Sequence, residues 1–193
     1  GVPGTDGAPA ANREAALATD TRIAIDTPSL MGSINLTGAR LDDLKLKDYR
    51  LTVEDDSPNI ELLNPRALPN GFYAEIGYIK TDATGEVPGP ETRWTVDSGA
   101  ALTPSTPVTL TFTNDKGLTF KRVIAVDDDY MFTVSDVVSN ASGTPVQLAT
   151  YGRVTRLEKP STPSIYVLHE GLIGVTGEEG LTEVDYGDVE EEG

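Results

Sequence analysis

The sequence has no cysteine, one histidine and one tryptophan among its 193 residues. Without cysteine, neither a structural disulfide nor a thiolate metal site can form. A single histidine also excludes a zinc site with three histidine ligands. No apolar run approaches the roughly 20 residues that a membrane-spanning helix needs, and the N-terminus lacks the basic and apolar regions of a signal peptide. The sequence as given therefore predicts a soluble polypeptide.

Basic residues are also few, with 15 Lys and Arg against 31 Asp and Glu, which gives a net charge of −16. Nucleic acid binding requires a basic surface, so this composition argues against a nucleic acid partner. The acids are concentrated near the C-terminus, where residues 171–193 contain eight of them and no Lys or Arg. Such a run is typical of a solvated segment rather than of a ligand site.

What the sequence does contain is alternation of apolar and polar residues, most clearly over residues 107–156. In PVTLTFT, the residues Val108, Leu110 and Phe112 alternate with threonines. The runs LTFKRVIAV, YMFTVSDVV and PVQLATYGRV follow after short turns rich in Gly, Asn, Asp and Ser. Alternation with a period of two, interrupted by turn residues, predicts strands, and short connections make consecutive strands antiparallel. We therefore predict a meander of four strands here.

Shorter runs of the same kind occur elsewhere, and they predict strands in TRIAID, SLMGSINLTG, IELL, FYAEIGYI, ETRWTV, SIYVLHEGLIGV and LTEVDY. ARLDDLKLKDY is ambiguous between a bulged strand and a helical turn, and we favour a strand because Gly38 suits a hairpin turn before it. FYAEIGYI is apolar on both faces, so we expect both faces of this strand to be covered. About ten to twelve short strands with turns between them predict an all-β sandwich.

Residues 1–21 have a different composition, since Gly, Ala, Pro and polar residues leave almost nothing to bury. We interpret them as a flexible linker or tether, with a short helical turn near residues 12–18. The folded domain is then expected to span residues 22–193.

The single histidine, His169, is followed by Glu170, and such a pair could act in general acid–base catalysis. Neighbouring residues of a strand point to opposite faces, however, so these two side chains would diverge. No nucleophile, base and orienting group can be assembled from the remaining residues. We therefore expect no enzymatic activity, no catalytic residue and no cofactor.

Several pairs and runs of aspartate could suggest a calcium site, because hard cations bind clustered carboxylates. The run Asp127-Asp128-Asp129 lacks the spaced acids, the glycine and the distant glutamate of a calcium loop. A polar hairpin turn is the favoured interpretation, and the pairs Asp42-Asp43 and Asp55-Asp56 are interpreted in the same way. We therefore expect no metal site.

One group of residues brings bases and aromatic rings together in this acidic chain: Tyr151, Arg153, Arg156 and Tyr166. Tyrosine and arginine are enriched at protein interfaces. Tyr151 and Arg153 are two residues apart, so they are expected to share one face of their strand. We predict a partner-binding surface at these residues, against the alternative that they pack locally and balance nearby acids.

Residues 22–50, RIAIDTPSLMGSINLTGARLDDLKLKDYR, resemble the start of the periplasmic domain of the bacterial membrane protein insertase YidC, in its alphaproteobacterial form. Three later segments agree with the same family, namely FYAEIGY at 72–78, DDDYMFTVSDVVSN at 127–140 and YVLHEGLIGVTGEEGLTEVDYGDVEEEG at 166–193. The segments follow one another in the order that the family has. The resemblance covers residues 22–193.

The resemblance implies a large twisted antiparallel β-supersandwich, similar to that of galactose mutarotases. It also implies a periplasmic location, between the first and second membrane spans of a bacterial inner-membrane protein. The implied role is a non-catalytic, chaperone-like interaction, with nascent membrane proteins and subunits of the Sec translocon as partners and with neither nucleotide nor metal. In the family the domain continues past residue 193, so the sandwich is expected to be incomplete at its C-terminal end.

The main alternative is a carbohydrate-binding β-sandwich, in which an exposed Trp94 and several tyrosines would form a stacking platform for sugar rings. A weaker alternative is a cell-surface adhesin that self-associates through open strand edges. Titration with sugars, followed by the fluorescence of Trp94, separates the first alternative from the insertase domain, because a saturable change would support carbohydrate binding.

Overall fold

The computed structural model describes residues 12–160, 169–175, 177 and 180–192, and most of them lie in β-strands. Two short helices accompany the strands. In chain order the elements are α1 (Arg13–Leu17), β1 (Arg22–Asp26), β2 (Leu30–Asn35), β3 (Arg40–Arg50), β4 (Asn59–Leu63), β5 (Phe72–Tyr78), β6 (Thr95–Ser98), β7 (Ala101–Leu102), β8 (Val108–Thr113), β9 (Leu118–Val126), β10 (Phe132–Asn140), β11 (Thr150–Arg156), β12 (Gly171–Val175), β13 (Leu181–Asp185) and α2 (Tyr186–Glu192).

Two large sheets form a sandwich in the structural unit that ends at Leu157. The first sheet has seven strands in the order β11-β5-β3-β2-β1-β7, and its remaining strand, β4, pairs with β3. The second sheet has four strands in the order β10-β9-β8-β6. Except for the short parallel pair of β1 and β7, the strands of both sheets pair antiparallel. The predicted all-β antiparallel sandwich is confirmed.

The core lies between these two sheets and follows the alternation of the sequence. In β1, Ile23 and Ile25 are buried while Ala24 and Asp26 are exposed. β9 shows the same alternation over Leu118–Val126, and β8 contributes the buried residues Val108 and Leu110. The cluster includes Ile23, Ile25, Leu30, Ile34, Leu44, Trp94, Val108, Leu110, Leu118, Phe120, Ile124 and Val126. Burial of apolar area is therefore the main force that holds the two sheets together.

The ambiguous segment after Gly38 is a strand, β3, as predicted. Gly38 has a φ of 80°, a backbone conformation that favours glycine and suits the tight turn between β2 and β3. Gly32 is constrained for another reason, since a Cβ there would lie 2.0 Å from the carbonyl oxygen of Asp43. Only glycine lets the two backbones approach so closely.

A bulge interrupts the pairing of β2 with β3. Ser33 lies opposite Asp43, whereas the next residue, Ile34, lies opposite Leu41. Asp42 is therefore the additional residue of the bulge, and extra residues of this kind redirect side chains. This local irregularity determines which carboxylates reach the outer face of the seven-stranded sheet.

The predicted meander over residues 107–156 is confirmed for β8, β9 and β10 and is wrong for its last strand. β11 pairs with β5 of the seven-stranded sheet instead of with β10. Residues 141–149 carry the chain between the two sheets, and Val146 and Leu148 within them pack against the core. Burial of these two side chains and the unpaired edge of β5 favour the crossing over a fourth hairpin.

Three other predicted strands are present in whole or in part. The strand expected at residues 91–96 is β6, Thr95–Ser98, so Trp94 precedes it and donates its backbone N–H to the carbonyl of Leu36, at 3.0 Å. β5 is covered on both faces as predicted, because Tyr73 and Glu75 are buried on one face and Tyr78 on the other. Of the strand predicted in SIYVLHEGLIGV, residues 161–168 lie outside the described part and β12 covers Gly171–Val175.

A buried ion pair within the four-stranded sheet is hydrogen-bonded to the seven-stranded sheet. Arg122 of β9 is 1% exposed, and its guanidinium donates to both carboxylate oxygens of Asp136, at 2.8 and 2.7 Å. It also donates to the backbone carbonyl of Ile76 in β5, at 2.8 Å. Tyr78 of β5 in turn donates its hydroxyl to Asp136, at 2.9 Å. The two sheets are thus joined by hydrogen bonds as well as by apolar packing.

The second structural unit starts at Glu158. Within it, β12 and β13 form an antiparallel hairpin in which Val175 lies opposite Leu181. α2 follows β13 directly, and its first residue, Tyr186, donates its backbone N–H to the carbonyl of Glu170, at 2.9 Å. Both apolar residues of the Val175–Leu181 pair are exposed.

Candidate functional site

Three of the four predicted partner-binding residues lie on β11, at the end of the seven-stranded sheet. β11 pairs with β5 along one side, and no described strand pairs with its other side. In this register Tyr151 lies opposite Gly77, Arg153 opposite Glu75, and Arg156 opposite Phe72. Tyr151 and Arg153 therefore share the outer face of the sheet, whereas Arg156 lies on the other face.

Tyr151 covers a glycine of the neighbouring strand. Its ring and hydroxyl lie where a side chain on Gly77 would be, at 2.6 to 2.8 Å from the position of a Cβ. Burial raises the pKa of the Tyr151 phenol, and the negative charge of Glu75 adds to this effect. The phenol is therefore neutral at physiological pH and can donate a hydrogen bond.

Arg153 is ion-paired with Glu75, which is fixed in turn by a second arginine. Arg40 Nε lies 3.5 Å from Glu75 Oε2, and the side chains of Arg40 and Glu75 are only 4% and 2% exposed. The guanidinium of Arg40 also donates to the carbonyl of Pro90, at 2.9 Å, and lies 5.5 Å from the ring centre of Tyr73. Arg153 is thus the partly exposed end of a network that is otherwise buried.

The network continues across the sheet through alternating charges. Arg40 NH1 lies 3.9 Å from Asp42 Oδ2, and Asp42 is ion-paired with Arg22 of β1. We call the residues Arg22, Asp42, Arg40, Glu75 and Arg153 the outer ladder. Its members come from β1, β3, β5 and β11, so it connects the edge strand β11 to strands in the interior of the sheet.

The outer ladder overturns the interpretation of Asp42-Asp43 as a polar turn. Both carboxylates are buried within β3, because the bulge at Asp42 directs both side chains to the outer face. Burial raises the pKa of Asp42 even though Arg22 and Arg40 act in the opposite direction. Nothing in the amino-acid sequence distinguishes this pair from Asp55-Asp56, which lies in an exposed turn as predicted.

The helix α1 lies against the same outer face, within the segment predicted to be a linker. Arg13 of α1 is ion-paired with Asp43 and hydrogen-bonded to Asn64. Ser33 Oγ donates to Asp43, at 2.6 Å, and accepts a hydrogen bond from Arg22, at 2.7 Å, so α1 is connected to the outer ladder. The boundary predicted between residues 21 and 22 stays a prediction.

A groove of about 700 Å³ opens between α1 and the seven-stranded sheet. Apolar side chains line part of it, and charged side chains such as Arg13 and Lys45 line the rest. Both of these cations are already paired, with Asp43 and Glu61. The groove is therefore a feature of the outer face in which these two cations are each held by a carboxylate.

The remaining predicted residues of the surface lie apart from Tyr151 and Arg153. The guanidinium of Arg156 lies 4.8 Å from the ring centre of Phe72, its cross-strand neighbour. Tyr166 lies outside the described residues. The structure therefore brings together Tyr151 and Arg153 with Glu75 and Arg40, and sequence reasoning missed the last two because nothing in the sequence marks them as buried ion-pair partners.

The other candidate residues occupy structural positions. His169 Nδ1 lies 2.8 Å from Asp185 Oδ1 in the second unit. Asp127 Oδ1 accepts the backbone N–H groups of Asp129 and Met131, both at 2.8 Å, so the predicted polar hairpin turn is confirmed. Among the described residues, no group of three or more His, Asp or Glu side chains is arranged to hold a metal ion.

Trp94 contradicts the carbohydrate-binding alternative. It is 4% exposed, and the guanidinium of Arg122 lies 4.9 Å from the centre of its ring. Phe112 packs against it from the second sheet, with ring centres 6.3 Å apart. A ring covered by a buried ion pair and by the core has no free face on which a sugar could stack, so the platform predicted from the sequence is wrong.

Comparisons with known proteins agree with the resemblance. Residues 22–193 match the family described as the YidC periplasmic domain. A membrane protein insertase YidC from Mesorhizobium japonicum is 63% identical over 191 residues, which are 99% of this chain and 32% of that protein. Insertases of the same name from Rhizobium meliloti and Brucella melitensis are 61% and 62% identical, over 94% and 93% of this chain and 30% of each relative.

The chain thus spans about a third of the length of the relatives that it matches. Within the described part of the chain, no helix is long and apolar enough to cross a bilayer. The family match covers both sheets of the sandwich and the hairpin that follows them. The chain belongs to the YidC periplasmic domain family.

Proposed function

We propose that this chain is the periplasmic interaction domain of a bacterial inner-membrane protein that inserts and folds other membrane proteins. The observation that supports this proposal is the family match over residues 22–193, together with the insertase name of relatives that are about 60% identical. In this proposal the chain contributes binding surfaces in the periplasm, has no catalytic role and needs no cofactor. Its partners are nascent membrane proteins and subunits of the Sec translocon.

The best-supported contact surface for these partners is β11. An edge strand offers an unpaired row of backbone N–H and C=O groups to which an extended segment can add as a further strand. Val154 on one face of β11 is 67% exposed, and Arg153 on the other face is partly exposed. The predicted binding residues Tyr151, Arg153 and Arg156 would then contact a partner from both faces, with Tyr166 as a further candidate.

The ion pairs beneath β11 support a binding role rather than a catalytic one. Glu75 and Arg40 are buried in a network that joins strands, so they fix the position of Arg153. A rigid scaffold under a partly exposed arginine lowers the entropy lost when a partner binds. Arg153 and Tyr151 are therefore pre-positioned contact residues.

The test is site-specific photo-crosslinking in bacterial inner membranes that contain the full-length insertase. The probe replaces Val154 on β11 and, in a matched control, Val137 on β10, which is also an exposed residue on an edge strand. We expect crosslinks to Sec subunits or to nascent membrane proteins from position 154 and few from position 137.

Equal crosslinking from both positions would contradict the assignment of the surface to β11. If neither position crosslinks a translocation component or a nascent chain while insertion proceeds normally, the interaction role itself is wrong. Tyr151 and Tyr166 are the next probe positions, because they test the contact residues that the sequence predicted.

A further inference from the structure

A different surface lies where three connections meet at one end of the sandwich. The backbone N–H of Lys47, near the end of β3, donates to the carbonyl of Ser29 in the turn between β1 and β2, at 2.8 Å. Ser29 Oγ donates to the carbonyl of Asp128 in the turn between β9 and β10, at 3.4 Å. The connection between β3 and β4 extends beyond Lys47, so it emerges at the same end.

This end exposes large apolar side chains. Val53 is 99% exposed, Leu51 is 63% exposed and Met131 is 65% exposed. Tyr49 and Tyr130, at the same connections, are about half exposed. Single exposed apolar residues are ordinary, whereas several on connections at one end of a fold are typical of an interaction site.

The connection that carries Leu51 and Val53 is internally hydrogen-bonded. Leu51 donates its backbone N–H to the carbonyl of Pro58, at 3.0 Å, and Thr52 donates to Ser57 Oγ, at 2.9 Å. Arg50 NH1 donates to the carbonyl of Ser57, at 2.7 Å. These bonds hold the apolar side chains on an ordered loop, so little further ordering is needed when they bind a partner.

Exposed carboxylates lie on or next to the same connections, and in the described part of the chain none of them has an ion-pair partner. They are Asp48, Glu54, Asp55, Asp56, Asp128 and Asp129. The nearby cation Lys47 is used by Asp26 and the carbonyl of Thr27, both at 2.5 Å. We call these carboxylates, with Tyr49, Leu51, Val53, Tyr130 and Met131, the acidic end.

We propose that the acidic end docks a basic amphipathic segment of a partner protein. The partner's apolar side chains would pack on Leu51, Val53 and Met131, and its Lys or Arg side chains would pair with the unpartnered carboxylates. Such charge complementarity sets both the rate and the specificity of association. A membrane surface is disfavoured because anionic lipids would be repelled by the same carboxylates. The proposal uses no residue of β11 and does not depend on the insertase function.

The probe is a fluorescein-labelled helical peptide of leucine and lysine, with the lysines flanking a leucine face, and its binding to the purified chain is followed by fluorescence anisotropy. We expect binding that weakens with added salt. The double variant Leu51→Ser and Val53→Ser should weaken it by about tenfold, because central apolar contacts dominate such interfaces. Val137→Ser, which removes an exposed valine from β10, should leave it unchanged.

A charge-matched pair of variants separates docking from general attraction to a chain of net charge −16. One variant carries the substitutions Asp48→Asn, Asp55→Asn and Asp56→Asn, which neutralise three carboxylates of the acidic end. The control neutralises three exposed acids at other places, by the substitutions Asp82→Asn, Asp115→Asn and Glu158→Gln. The first should weaken binding several-fold more than the second and should flatten the salt dependence.

Equal losses in the two charge variants, or no effect of Leu51→Ser with Val53→Ser, would overturn the proposal. Co-sedimentation with phosphatidylcholine vesicles tests the membrane instead. If the chain partitions onto those vesicles and the serine variant does not, while both bind the peptide equally, the acidic end is a membrane contact and the proposal is wrong. These substitutions are at exposed positions, and an unchanged far-UV circular dichroism spectrum checks that the fold is kept.

Discussion

Both faces of the seven-stranded sheet bury side chains, but they do so by different chemistry. The inner face carries Ile23, Ile25 and Leu44 against the second sheet. The outer face carries Arg40 and Glu75, which are as inaccessible as the apolar residues of the core. The exposed fraction of its side chains therefore does not distinguish an apolar face from an ionic face in this fold.

The difference lies in what each face requires of its neighbours. Apolar side chains gain free energy from contact with any well-packed apolar surface. Buried charges lose hydration and recover that loss only through closely placed opposite charges and hydrogen bonds. The inner face thus tolerates substitution by residues of similar volume, whereas each member of the outer ladder depends on specific partners from other strands.

The largest expected effect is at Arg122, a buried cation of β9. Replacing it with leucine leaves the Asp136 carboxylate unpaired and removes the donor to the carbonyl of Ile76. We expect a loss of about 3–5 kcal/mol in the free energy of unfolding, since one partner of a buried ion pair is left alone. Urea unfolding followed by far-UV circular dichroism and by the fluorescence of Trp94 measures it.

The matched control replaces both charges, with Arg122→Leu and Asp136→Leu in one chain. Replacing a whole buried pair by apolar residues is often close to neutral. The double variant should therefore be more stable than the single one. A single variant within about 1 kcal/mol of the wild type would contradict the assigned role of the pair.

A smaller loss is expected on the outer face. Glu75→Gln keeps the shape of the side chain but removes the charge that Arg40 and Arg153 share. We expect a loss of about 1.5–3 kcal/mol, the range for hydrogen bonds to charged groups. The control is Arg153→Met, which removes only the partly exposed partner and should cost less, because solvent screens that pair.

These two substitutions also test whether the outer ladder acts as a unit. A double-mutant cycle with Glu75→Gln and Arg153→Met gives their coupling energy, and residues in one network are coupled. If the two losses simply add, or if Arg153→Met is the more destabilising change, Glu75 does not organise the network. Guanidinium chloride would screen the charges, so urea is the denaturant of choice.

The inner face was predictable from the sequence, and the outer face was not. Alternation in TRIAID and LTFKRVIAV identifies Ile23, Ile25, Phe120 and Ile124 as core residues, because a strand has a period of two. The same rule assigns Arg22 to the opposite face of β1 but does not say that this face is covered. For β5, apolar residues on both faces predicted that both are covered, but not that Glu75 is covered by two arginines. Whether a polar face is buried depends on elements far away in sequence, such as α1.

Two further features could not be predicted from the sequence, for physical reasons. The bulge that places Asp42 on the outer face depends on the close approach of β2 and β3 at Gly32, which only three-dimensional pairing reveals. The passage of the chain from β10 to β11 depends on the open edge of β5, a partner distant in sequence. Of the predicted binding residues, the sequence spacing placed Tyr151 and Arg153 on one face but gave no sign of Glu75 beside them.

The smallest expected effect is at Tyr78, where the inner face meets the buried ion pair. Burial and the hydrogen bond to Asp136 raise the pKa of Tyr78 to about 12, from an ordinary value near 10. This pKa is higher in the folded chain than in the unfolded chain, so the contribution of Tyr78 to stability is complete below pH 10 and is lost as the pH rises towards 12. At pH 8, Tyr78→Phe should cost about 1 kcal/mol, the usual value of one hydrogen bond.

The sign of the pH dependence distinguishes this explanation from simple packing. Above pH 10 the unfolded wild-type chain loses the Tyr78 proton while the folded chain keeps it, so the free energy of unfolding of the wild type falls. The phenylalanine variant has no phenol at this position, so this loss of stability does not occur in it. The difference in unfolding free energy between the two chains should therefore shrink from pH 8 to pH 11, measured by urea unfolding with circular dichroism. A constant difference would mean that the Tyr78 hydroxyl does not donate to Asp136 and that the ring alone, packed on Phe120 with centres 4.9 Å apart, stabilises this position.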